Sequence, residues 1–117
     1  MKYRISAEAR QDLADILVYS AQQFGPAARQ RYQTLLVSSF TLIAAEPYGP
    51  VSRARDELHE GLRSLHLVHA QRGIPANQRV AQPRHVVFYR IAAEDIVEIV
   101  RLLHEVMEPK EHLASPE

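Results

Sequence analysis

Cysteine is absent from the 117 residues, so no disulfide framework and no thiolate metal site can form, and stability has to come from packing. Nothing in the composition points to an oxidising compartment, and a cytoplasmic location is the expectation. Excess charge is missing too. The 14 Lys plus Arg balance 14 Asp plus Glu, which leaves no global field to gather a polyanion and counts against a bulk nucleic-acid binder. No apolar run approaches the roughly 20 residues of a membrane-spanning helix, and Met1-Lys2-Tyr3-Arg4 opens without the apolar core of a secretory signal. Neither membrane insertion nor secretion is expected. The 4 glycines form no Gly-x-Gly or P-loop spacing, and no Gly-x-Ser-x-Gly elbow is present. Phosphate-cradling and nucleophile-elbow chemistry are unsupported, and no cofactor is expected.

What is present is an ordinary globular mixture, 46% apolar and 24% charged, long enough for one hydrophobic core and too short for two. Residues 1–117 are expected to form a single domain. The basic side chains are nearly all arginine, with Lys2 and Lys110 the exceptions, and between Leu62 and Arg90 there are five arginines and no acid. Arginine suits bidentate contact with carboxylate or phosphate, so a local basic patch within a neutral molecule is predicted.

Periodicity predicts the order strand, helix, helix, strand, strand, strand. Lys2 to Ile5 is short and β-compatible, Ser6 is a good N-cap, and Glu8 sits where the helix dipole favours an anion. Leu13, Ile16, Leu17, Ser20 and Phe24 recur at helical spacing and predict one buried stripe. Gly25-Pro26 ends this helix and starts the next, which carries Ala28, Tyr32, Leu35, Leu36 and Ile43 and stops before Pro47. A hinge this short forces an antiparallel helical hairpin. Ser52 to Glu60 reads as a connection and Gly61 to His69 as a strand. Residues 70–83, with two prolines, read as a long, mobile hairpin loop. Two further strands, Arg84 to Ile91 and Asp95 to Leu103, are joined through Ala92-Ala93-Glu94. Residues 109–117 form a tail, with one helical turn over Lys110 to Leu113.

The resulting expectation is an α+β domain: an N-terminal strand, an antiparallel helical hairpin and a three-stranded antiparallel β-meander, with the helices on one face of the sheet. Strict alternation puts Val97, Ile99 and Leu103 on one face and Ile96, Val100 and Leu102 on the other. The face without helices is therefore expected to be an exposed apolar patch that waits for a partner.

Among the 6 histidines, His66 and His69 are the nearest pair, but an odd strand spacing sends them to opposite faces, so no metal site is expected. His85 and His104 could meet each other, or His66, across adjacent strands. If the chain were a ribonuclease, Arg63, His66, Arg101 and His104 are the groups to stabilise a pentacoordinate phosphate and move protons. A plain structural reading, with arginines in ion pairs and histidines capping strand ends, weighs at least as much.

The run Ala9, Asp12-Leu13, Ile16, Tyr19, Gly25, Ala28, Tyr32, Leu36, Phe40, Leu42, Ala44, Pro47 and Gly49 continues into Gly61-Leu62-Arg63, His85 to Arg90, and Ile99-Val100-Arg101-Leu102-Leu103-His104 with Met107. In this order, closing on Arg-x-Leu-His before a Met-acid pair, it resembles the ParE branch of the RelE/ParE superfamily over residues 3–113. Glu108 stands where that family often has Asp, and the 70–83 loop is longer than in many relatives. The resemblance implies the same helical hairpin on an antiparallel sheet, and the toxin of a type II toxin-antitoxin pair with a cognate antitoxin as partner. ParE-like members block DNA gyrase, whereas RelE-like members, usually strongly basic, cut mRNA on the ribosome. The neutral charge favours a gyrase-directed toxin over an endoribonuclease or a degenerate, non-toxic binding module. DNA is then met only through the antitoxin. Arg63, Leu65, Arg90, Val100, Arg101, Leu102 and His104 are the candidate antitoxin- or target-binding residues.

Overall fold

Ser6 caps the first helix with its side chain, accepting the Ala9 backbone N–H at 3.0 Å while donating to the Val100 carbonyl at 2.8 Å. In the computed structural model, which describes residues 1–113, this cap joins strand β1 (Lys2–Ile5) to helix α1 (Ala7–Phe24). Gly25 stops α1 at φ 90° and ψ 173°, a conformation reserved for glycine, with its N–H on the Ala21 carbonyl at 3.0 Å. Pro26 then opens α2 (Pro26–Ala45), where its missing N–H costs nothing. The helices lie against one face of the sheet. Leu17, Leu35, Leu36, Phe40 and Ile43 meet Leu65, Val87, Tyr89, Val97, Ile99 and Leu102 there to form the main core.

The sheet has five strands in the order β1-β5-β4-β3-β2, with β2 at Arg53–Ala54, β3 at Arg63–His66, β4 at His85–Ala93 and β5 at Ile96–His104. The expected meander β3-β4-β5 is its centre, and both pairings are antiparallel. Two strands are added to it. β1 runs parallel to β5, with Lys2 opposite Ile96 and Ile5 opposite Ile99, and the stretch expected as a bare connection supplies the two-residue β2. The β4–β5 turn is tighter than expected, because β4 continues to Ala93 and only Glu94 and Asp95 are left between the strands. Asp95 takes a left-handed φ of 62°, which an aspartate tolerates better than most side chains.

The expected strand Gly61 to His69 is shorter. His66 Nδ1 accepts the Val68 N–H at 3.1 Å, and the chain turns into a 3₁₀ helix at Leu67–Ala70. Nor is 70–83 a bare loop. Ile74 is buried, Gln71 bonds the backbone N–H and carbonyl of Val80, and Ala76–Gln78 forms a second 3₁₀ turn. Pro109–His112 makes the short α3 within the expected tail. Leu113 caps it, and residues 114–117 of that tail lie outside the described residues.

Strict alternation fails in β5. Phe88 faces Arg101 while Tyr89 faces Ile99, so Val100 is an extra residue, a β-bulge. Beyond it the faces exchange: Leu102 joins Val97 and Ile99 in the main core, and Leu103 turns to the other side. That other side is not an open apolar patch. Leu62, Phe88 and Leu103 are buried in a second small core, covered by Leu58, Val86, Val100 and Leu113, with the Arg55 guanidinium 5.4 Å over the Phe88 ring. The exposed apolar groups lie elsewhere. Phe24, expected at the end of the buried stripe of α1, is 70% exposed, and Tyr19 beside it 59%.

Candidate functional site

The four groups expected for a ribonuclease are not brought to one place. Arg63 lies on β3, its Nε donating to Ser52 Oγ at 2.8 Å and its guanidinium 5.0 Å from the Tyr48 ring. The Tyr89 hydroxyl completes this cluster by donating to the Pro47 carbonyl at 2.6 Å and meeting Ser52 Oγ. Arg101 instead reaches α1. Its Nε and Nη2 hold the two Asp12 oxygens at 2.7 and 3.0 Å, its Nη1 donates to the His112 carbonyl at 2.9 Å, and the Leu102 N–H joins Asp12 at 2.9 Å. The bonds it donates to Asp12 raise the Arg101 pKa. In the sequence Asp12 stood only within the Asp12-Leu13 pair of the family resemblance, with no partner assigned to it.

The histidines gather at the opposite end of the strands. His85 pairs with His104 across β4–β5, with ring centroids 5.3 Å apart, and Tyr32 of α2 closes on His85 with its hydroxyl 2.6 Å from Nδ1. Burial, and then the neighbouring His104, push the His85 pKa down to about 4, so the ring is neutral at physiological pH. Burial also raises the Tyr32 pKa and keeps the phenol protonated. Next to this pair His66 Nε2 lies 2.7 Å from Glu105, whose other oxygen takes Arg84 Nη1 at 2.9 Å. The bonds from His66 and Arg84 hold the Glu105 carboxyl below its usual range. His66 and His104 share one device: each accepts the N–H two residues on, Val68 at 3.1 Å and Val106 at 3.2 Å, and so caps the end of its strand. Among the described residues no three His, Asp or Glu are placed to hold one metal ion.

The seven residues expected to meet a partner separate into three groups. Leu65 and Leu102 are 2% and 3% exposed, so their side chains belong to the core. Arg63 and His104 stand in the two clusters just described. Arg90, Val100 and Arg101 converge on a depression of about 750 Å³ on the sheet face away from the helices, bordered by Leu62, His112 and Leu113. Its charge is partly matched from within. Arg90 holds Glu98 through Nη2 at 2.9 Å, and Arg4 reaches the other Glu98 oxygen at 3.2 Å.

A helical hairpin on a five-stranded mixed sheet, with arginines spread over separate polar clusters, defines a small α+β protein. The same fold occurs in a solved structure described as the chromosomal ParDE TA system from P. aeruginosa, at a TM-score of 0.63 and 15% identity, covering 89% of this chain and 95% of that one. Residues 3–109 match the family model described as the ParE toxin of type II toxin-antitoxin system, parDE. A protein named Toxin ParE1 from Caulobacter vibrioides is 33% identical over 111 residues, 95% of this chain and 96% of its own length. A Toxin ParE1 from Mycobacterium tuberculosis is 26% identical over 112 residues, 96% of this chain and 97% of its own. The chain belongs to the ParE toxin family. No described helix is long and apolar enough to cross a membrane.

Proposed function

We propose that the chain is the toxin of a type II toxin-antitoxin pair that acts in the cytoplasm as a protein ligand of DNA gyrase, and that a cognate antitoxin neutralises it. The observation that carries this reading is the match to the ParE toxin family along residues 3–109. Two features of the site support it. Arg63 and Arg101, the cations a phosphoryl-transfer site would need, are each committed to intramolecular partners at separate places. Leu62, Val100 and Leu113 give the depression beside Arg90 an apolar floor, which suits an extended segment that orders on binding. Contact with DNA then comes through the antitoxin.

Induced expression tests the reading, with and without co-expression of a cognate antitoxin. Expression alone is expected to arrest division, with filamentation and a DNA-damage response, and co-expression is expected to restore growth. Rapid loss of translation with cleaved transcripts would overturn the gyrase assignment. Growth unaffected by the toxin would overturn the toxin assignment as a whole.

A further inference from the structure

A second concavity, of about 520 Å³, lies between the hinge end of the helical hairpin and the entry to β4. Its apolar side carries Tyr19 and Phe24, which meet edge to face at 6.4 Å and remain largely in water. Two large aromatics left side by side on a surface, on a helix that buries Ala9 and Leu17 on its core face, mark a contact site.

The polar side is built from the histidine pair. The Val106 N–H points at His104 Nδ1, so that nitrogen carries no proton and the neutral ring is protonated on Nε2. The same holds at His85. Tyr32 Oη accepts the Arg84 backbone N–H at 3.2 Å, and among the described residues its own proton has no acceptor other than His85 Nδ1 at 2.6 Å. Both rings thus carry Nε2–H donors. Among the described residues neither donor has a protein partner, and no buried side-chain nitrogen is left without one, so both nitrogens reach solvent beside the groove that the two rings line. This tautomer also excludes a metal, which would need the bare Nε2 lone pair that the Nδ1 bonds deny. Arg31 lines the same groove and makes no hydrogen bond or ion pair among the described residues, whereas Arg84 is matched by Glu105.

We propose that this groove binds an acidic-apolar protein segment, one carboxylate received by the Nε2–H groups of His85 and His104 and by Arg31, with a neighbouring apolar side chain on Tyr19 and Phe24. One unmatched arginine and two ring N–H donors complement a single negative charge. A nucleic-acid strand asks for a row of cations along its phosphates, and the groove has none. The natural carrier of such a segment follows from the toxin-antitoxin reading, but the chemistry of the groove is testable without it.

Long-range ¹H–¹⁵N NMR of the isolated chain reads the tautomers, and both His85 and His104 are expected in the Nε2–H form. Acetyl-Phe-Glu-Phe-amide is expected to shift both signals saturably, and its Gln counterpart to bind about tenfold more weakly, a difference of ~1.4 kcal/mol. Arg31→Gln, at an exposed position, should cost the Glu peptide a similar factor without changing Tm. An Nδ1–H tautomer at either ring, no binding, equal binding of the two peptides, or tighter binding of a uridine trinucleotide would each overturn the proposal. The two readings fail separately: a groove that ignores the peptide in a chain that still arrests growth removes this site alone, and peptide binding by a non-toxic chain removes only the toxin.

Discussion

Replacing Asp12 with alanine tests how β5 is held to α1 beyond the bulge. The Asp12 carboxylate accepts three hydrogen bonds, from Arg101 Nε at 2.7 Å, Arg101 Nη2 at 3.0 Å and the Leu102 N–H at 2.9 Å. The two side chains are 14% and 21% exposed, which puts the pair between two limits. An exposed ion pair contributes at most about 1 kcal/mol, while breaking a buried one costs about 3–5 kcal/mol because the surviving charge stays out of water. With a bidentate geometry and a backbone donor also left without its acceptor, about 3 kcal/mol is expected. For a domain of this size that lowers Tm by about 12 °C. Urea unfolding of Asp12→Ala, Arg101→Met and the double variant forms a cycle whose coupling should be about 2 kcal/mol. A single-variant loss below about 0.5 kcal/mol, or additive losses in the cycle, would refute the claim that Arg101 is a structural tie.

Stability should fall with acid in the window set by His85. Its folded pKa of about 4 lies below the ordinary 6.5, so the unfolded chain binds the proton more readily. The contribution is fully present above pH 6.5 and lost as pH falls toward 4, about 3 kcal/mol in all, and His85→Phe should flatten the stability–pH curve between those values. Glu105 adds a loss of the same sign only below its ordinary 4.5. Tyr89→Phe removes the fully buried hydroxyl that ties β4 to Pro47 and Ser52. It should cost about 1–2 kcal/mol, with faster amide exchange over residues 47–53. Gly25→Ala adds a Cβ that meets no atom within 4 Å, so its cost is backbone strain alone, about 1–2 kcal/mol by thermal unfolding. An unchanged Tm would mean that the hinge relaxes.

The helix boundaries were legible because their signals are local. Ser6, Gly25-Pro26 and Pro47 act through their own backbone geometry, and the structure uses each as expected. The parallel partner of β1 was not legible, since pairing with residues more than ninety positions away leaves no local mark. The Val100 bulge was hidden for a related reason. The apolar residues of β5 fall on both faces, and the polar Glu98, Arg101 and His104 recur at every third position instead of alternating, so the pattern did not fix where the alternation slips, and Leu102 and Leu103 were assigned to exchanged faces. The ordered state of 70–83 rests on Gln71, Ile74 and Val80 meeting each other, while composition showed only prolines and polar groups. At the candidate sites, adjacency of the last two strands was enough to expect His85 near His104. Tyr32 joins that pair through the rotation of α2 against the sheet, which no spacing in β4 or β5 encodes.

The most direct measurement is a gyrase reaction on supercoiled plasmid with the purified chain added. Inhibited supercoiling and linear DNA trapped as the cleaved complex are expected, both abolished by the cognate antitoxin. Normal supercoiling with no linear product, at concentrations of a chain shown to be folded and to bind its antitoxin, would contradict the gyrase assignment.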